Sequence, residues 1–190
     1  MLGHDGWFWK GEAACLTGLK GRRVRALMES GASLLAYHLP LDAHGELGNN
    51  RQLARLLGIE TPEATQAGRG LVWRGLFRPS LSGEALAERL AIALGRSPLR
   101  IPARGRPLAA IAWCSGAAQG FIEEAAALDV DAYLSGEISE QTTHLARELG
   151  IDYFAAGHHA TERWGVQALG AQLANDLGLE HRFLDIDNPV

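Results

Sequence analysis

Side chains able to bind a metal ion or carry a proton gather in a few places: His4 and Asp5, His38, Asp42 and His44, Glu137 and His144, and His158, His159 and Glu162. Two of these groups contain a histidine and a carboxylate four residues apart, His38 with Asp42 and His158 with Glu162. On a helix, or the turn entering one, side chains four apart share a face and can close on one ion. His158 and Glu162 form the better pair, because a helical pattern plainly follows them. A nitrogen donor beside a carboxylate suits zinc, iron or manganese, and a carboxylate can bridge two ions.

Each group also has a plainer reading. An isolated His-x-x-x-Glu is most often a polar pair on the surface. Asp42, in PLDAH after Pro40, suits an Asx-turn or a helix N-cap, and His4-Asp5 suits a turn. Glu137 follows a strand and can stand behind a ligand or carry a proton; His38 is open to the same two roles. His44 and His181 read as surface residues. What changes the weighing is that three polar clusters fall at strand ends, where open α/β sheets bind their ligands.

The elements that position these residues alternate between strand and helix patterns, which argues α/β. Helices are expected over 18–30, closed by Gly31, over 49–57, closed by Gly58, and over 82–94 with Ser82 as cap. Further helices are expected over 121–128, 140–149 and 161–177. Strands are expected over 32–39 (buried, stopped by Pro40), 72–77, 108–113, 132–134, 153–156 and 181–186. The turn SGAAQG after residue 113 is neither GxGxxG nor a P-loop and reads as a packing turn. Trp7, Phe8 and Trp9 suit a core or a subunit interface.

The strand LLAYHL running into His38-x-x-x-Asp42 and the strand YFAAGH running into His158-x-x-x-Glu162 look like copies of one unit. The expected organisation is a first α/β half over 1–60, an Arg-rich middle over 61–106 and a second α/β half over 107–190. The second half has an upstream strand-turn-helix for which the first has no counterpart, so the first half reads as truncated at its N-terminus. The middle holds eight arginines from Arg69 to Arg106. Such a stretch can line a pocket for a phosphorylated or nucleotide ligand, though more often it is solvated or paired.

Composition bounds the classes. Of 190 residues, 47% are hydrophobic and 21% charged, so there is material for a packed core, and disordered or collagen-like chains are excluded. Eighteen basic against 22 acidic side chains leave a net charge of −4, which offers no electrostatic reason for nucleic acid or a membrane surface. The chain reads as cytoplasmic, without the pattern of a signal peptide or a membrane span. Cys15 and Cys114 are isolated thiols, so neither a disulfide scaffold nor a cysteine zinc cluster is available.

The segments HDGWFWKGE, YHLPLDAHGELGNN, AWCSGAAQGFIEEA, LSGEISEQTTH and AAGHHATERWGVQALG, with the ending FLDIDNPV, occur in order from residue 3 to residue 190. In these the chain resembles the NIF-three-like dinuclear metal-centre family, whose members often carry the name GTP cyclohydrolase 1 type 2 homolog. The resemblance implies two interlocked α/β domains and a toroidal homohexamer. It also implies two divalent ions held at the positions of His4, Asp5, Asp42, His158 and Glu162, with Glu162 bridging. Asp5 stands where the family has a second histidine, which shifts preference from zinc towards oxygen-seeking ions such as manganese, magnesium or iron(II). The implied activity is a metal-dependent hydrolase acting on a nucleotide or related small molecule, with Glu137 or His38 as proton carrier. The rival is a non-catalytic metal-binding, metal-delivery or regulatory protein.

Overall fold

In the computed structural model, residues 15–103 and 105–190 are described in full and residues 2–3 in backbone. His4, Asp5 and the Trp7, Phe8, Trp9 cluster lie outside the described residues. The chain runs β1 (Leu2–Gly3), α1 (Gly18–Ser30), β2 (Leu35–Ala36), α2 (Leu39–Ala43), α3 (Asn49–Leu57), β3 (Glu60–Ala64), β4 (Trp73–Leu81) and α4 (Gly83–Leu94). It continues through β5 (Leu99–Ile101), β6 (Leu108–Trp113), α5 (Ile122–Ala126), β7 (Ala132–Ser135), α6 (Glu140–Leu149), β8 (Asp152–Ala155), α7 (His158–Glu162) and α8 (Trp164–Leu177).

Six strands form one sheet in the order β3-β4-β6-β7-β8-β5, and β1 pairs with β2 in a separate parallel ladder. Within the large sheet β6, β7 and β8 are parallel, while β3, β4 and β5 join antiparallel. Parallel strands need crossovers, and α5 and α6 supply them. Alternate side chains then serve two cores. Ile111, Trp113, Leu134 and Phe154 face Leu53, Leu57, Leu86 and Leu90 of α3 and α4. Ala110, Ala112, Tyr133 and Tyr153 face Ile122, Ala125 and Ala146 of α5 and α6. Burial on both faces explains the apolar character of β6 to β8, whose polar members are Ser135 at the end of β7 and Asp152 at the start of β8. Their parallel pairing places the C-terminal ends of these three neighbouring strands along one edge.

Local signals set several boundaries. Ser82 accepts the backbone N–H of Ala85 and opens α4, and Ser139 with Thr142 forms a capping box on α6. Gly58 and Gly150 end α3 and α6 in the left-handed region.

Three expectations are corrected. The buried strand over 32–39 reduces to Leu35–Ala36, with Leu35 half exposed, because among the described residues its two-residue ladder pairs with β1 alone and Pro40 turns the chain at once into α2. No strand forms over 181–186, since the edge beside β8 is already taken by β5, paired through Leu99–Ala155 and Ile101–Tyr153. The helix of 161–177 begins earlier, at His158, and breaks into α7 and α8 at Arg163.

The strands of the Arg-rich stretch lie in the same sheet as β6 to β8, and several of its arginines act inside the fold. Arg100 pairs with the buried Asp152 at 2.8 Å and also reaches Glu84, whose carboxyl it lowers to about 2 by hydrogen bonding. Arg89 donates to the Leu57 carbonyl, and Arg106 pairs with Asp131.

Candidate functional site

The three parallel strand ends deliver the chemistry. Beyond β6 the chain continues as Cys114, Ser115 and Gly116, beyond β7 as Gly136 and Glu137, and beyond β8 as Gly157 and His158. Backbone bonds extend the ladder past the strands: Gly136 N–H donates to Gly116 O at 2.9 Å and Gly157 N–H to Gly136 O at 2.8 Å. The segments therefore stay side by side where the side chains emerge.

His158 is held between two carboxylates. Its Nδ1 lies 2.6 Å from Glu137 Oε1 and its Nε2 lies 2.9 Å from Glu162 Oε2, one helical turn ahead. Hydrogen bonding to Glu162, and then to Glu137, raises the imidazole to about 9 against the opposing effect of its burial. Glu162 is mostly buried, while His158 and Glu137 keep about a third of their side chains open to solvent.

Small residues make room for this pair. Gly116 has φ +66, and a Cβ there would overlap Glu162 Oε1 and stand 3.2 Å from His158 Nε2. A Cβ on Gly136 would stand 2.8 Å from the His158 Cα. Gly116 N–H donates to Thr161 Oγ1 at 3.0 Å, which locks the turn to α7. Behind Glu137, the Tyr153 hydroxyl donates to the Glu137 carbonyl at 2.7 Å and Ser135 Oγ to the same oxygen at 2.8 Å. Gln119 approaches its other carboxylate oxygen at 3.4 Å.

Asp42 reaches this edge from α2. It is buried, and its Oδ1 accepts from Asn49 Nδ2 at 2.8 Å and from Ser115 Oγ at 3.0 Å, next to Gly116. Asn49 also accepts the Gly165 N–H at 2.6 Å, tying Asp42 to the start of α8. Asn50 donates to the Asp42 carbonyl and accepts the Ser115 N–H, and its own carbonyl accepts from Trp113 Nε1. Burial, and then the charges of Asp42 and Glu162, push the Cys114 thiol up to about 12.

The structure brings Glu137, His158 and Glu162 into direct contact and sets Asp42 alongside through Ser115. His38 does not share that arrangement: it is exposed, and its carbonyl accepts the N–H groups of Leu41 and Asp42 at the start of α2. His44 accepts two backbone N–H groups in its own turn, His144 is exposed on α6, and His159 faces Asp185. Asn49 and Asn50 were not singled out from sequence. Their signal was the phase of α3, which places both with Leu53, Ala54 and Leu57 on its buried face.

Among the described residues, no group of three or more His, Cys, Asp or Glu is gathered to hold a metal. The donor chemistry of the pair nonetheless suits a divalent ion. One imidazole nitrogen faces a carboxylate, and the other is engaged by Glu137, the outer carboxylate that metal-binding histidines commonly carry.

The comparisons with known proteins agree with this fold. The model of Duf34/NIF3 (NGG1p interacting factor 3) matches residues 1–189. The chain belongs to the Duf34/NIF3 family. It is 54% identical over 190 residues to the GTP cyclohydrolase 1 type 2 homolog of Allochromatium vinosum, covering all of this chain and 75% of that protein. It is 52% identical to the homolog of Pseudomonas aeruginosa, covering 76% of it. Among solved structures, a protein named ybgI, described as of unknown function, is similar with a TM-score of 0.93 at 44% identity, over all of this chain and 76% of that one. A protein of Thermus thermophilus is similar with a TM-score of 0.85 at 32% identity, over all of this chain and 75% of that one. The α/β architecture expected from the resemblance is thus that of the Duf34/NIF3 relatives. No helix among the described residues is long and apolar enough to cross a membrane.

Proposed function

We propose that this Duf34/NIF3 chain binds two divalent metal ions, iron, manganese or zinc, and acts as a metal-dependent hydrolase on a nucleotide or related small molecule. The observation that carries the reading is His158 held between Glu137 and Glu162 at the joint ends of three parallel strands. His158, Glu162 and Asp42 supply donors, and His4 and Asp5, which follow β1 in sequence, complete the set. Bound divalent ions would supply an acidified water and polarise a substrate oxygen.

The chain's own residues do the rest. Glu137 accepts from His158 Nδ1 and so keeps Nε2 turned towards Glu162. Its partial exposure lets it take a proton from a substrate or water at the same edge. Asn49 and Ser115 hold Asp42 in one orientation, so its carboxylate enters the site without reorganising. Gly116 and Gly136 let the backbone approach closely enough for α7 to present both of its donors.

The names of the curated relatives support a nucleotide substrate. The family's name, an interacting factor, supports a second reading, a non-catalytic metal-binding or regulatory protein. In either reading the protein works in the cytoplasm as a homohexamer. Metal analysis of the purified protein, followed by turnover assays on GTP, other nucleotides and phosphoesters with and without chelator, separates the two. Chelator-sensitive turnover supports the hydrolase, and stoichiometric metal without turnover supports the binding protein. Light scattering tests the hexamer.

A further inference from the structure

The segment after α8 forms no strand, yet it is tied repeatedly to α7. Asp185 Oδ1 lies 3.0 Å from His159 Nε2, and Asp185 Oδ2 accepts from Arg163 Nη1 at 2.8 Å. The Val190 carbonyl accepts the His159 backbone N–H at 3.0 Å. The Pro189 carbonyl accepts from Arg96 Nη1 at 2.7 Å. Arg96 in turn packs on Gly157, where a Cβ would meet Nη1 at 2.5 Å; Gly157, with φ +102, is the residue that turns β8 into α7. Arg163 reaches across to the Leu94 carbonyl at the end of α4.

These ties matter because α7 has only five residues and no side-chain cap at its N-terminus. So short a helix does not hold itself, and its position must come from tertiary contacts. His159 and Arg163 immediately follow His158 and Glu162, so whatever fixes the former fixes the latter. We propose that residues 185–190 are a clasp over α7, with Asp185 the positioning residue that keeps His158 and Glu162 facing each other. The consequence for metal binding rests on the function proposed above, whereas the clasp itself rests on the contacts alone. Asp185 and Arg163 are partly exposed, so their pairing adds little to global stability. Its effect is local.

Hydrogen exchange by mass spectrometry on the metal-free full chain, with Mn²⁺ titration beside it, tests the clasp in Asp185→Ala, Asp185→Glu and Arg96→Ala. Asp185→Ala is expected to speed exchange over 158–163 about tenfold and weaken Mn²⁺ binding about tenfold, with the melting temperature unchanged. Arg96→Ala is expected to speed the same amides, and Asp185→Glu to return them towards the parent. Exchange over 158–163 that stays within about twofold of the parent in both alanine variants overturns the clasp. A parent chain that binds no Mn²⁺, Fe²⁺ or Zn²⁺ overturns the metal reading, while the exchange arm still decides the clasp.

Discussion

The same four-residue spacing occurs twice in this chain with different results. His158 is the first residue of α7, so Glu162 follows on the same helical face and the two side chains meet at 2.9 Å. His38 precedes α2 as its N-cap, with φ −78 and ψ −108, so only Asp42 belongs to the helix. Asp42 turns into the interior towards Asn49 and Ser115, while His38 stays at the surface. The spacing makes a pair only where both residues are helical. The preceding strand decides that. β8 is a buried strand paired on both sides that sets the start of α7, whereas β2 is two exposed residues paired, among the described residues, with β1 alone.

The difference can be sharpened by substitution. Gly116→Ala should have the largest effect, because its Cβ would occupy the place of Glu162 Oε1. We expect divalent-metal affinity, read by titration, to fall by more than the roughly 10–100-fold that loss of an outer partner costs. Glu137→Ala removes that outer partner from His158 and should cost about 10–100-fold in the same titration. His38→Ala should change it by less than about twofold, because His38 occupies the surface turn before α2 rather than the α7 pair.

Asn49→Ala tests what anchors the front region. It leaves Asp42 and the Gly165 N–H each short of a buried partner, and should lower stability in urea unfolding by about 2 kcal/mol. The smallest perturbation is chemical. Cys15 is exposed, whereas Cys114 is buried and its thiol is pushed up to about 12 by burial and by Asp42 and Glu162. At pH 8 a thiol reagent should label Cys15 quickly and Cys114 only after denaturant is added; rapid labelling of both would show that the strand-end edge is open.

Elements with their own end signals were legible from sequence, α3 with Gly58 and α4 with Ser82, as were the helix over 140–149 and β6 as an apolar run. Elements defined by a partner were not. β3, ETPEA, is polar and largely exposed, and β5 is three residues long; each is a strand only because β4 or β8 offers it an edge. The segment 181–186 carries a comparable pattern but finds that edge filled. In the candidate site, the four-residue spacing pointed to the contact of His158 with Glu162, and Glu137 was read from its place after a strand. Asn49, Asn50, Ser115 and Tyr153 stayed hidden, since a buried amide or hydroxyl shows its role only through the groups it meets across the fold.

The most direct test of the difference between the two spacings is metal content per chain, measured by mass spectrometry after reconstitution with Fe²⁺, Mn²⁺ or Zn²⁺, for the parent, Glu162→Ala and His38→Ala. At least one ion per chain is expected in the parent and in His38→Ala, with a clear loss in Glu162→Ala. Equal metal in the parent and Glu162→Ala, or loss in His38→Ala alone, would contradict the assignment of the donor pair to α7.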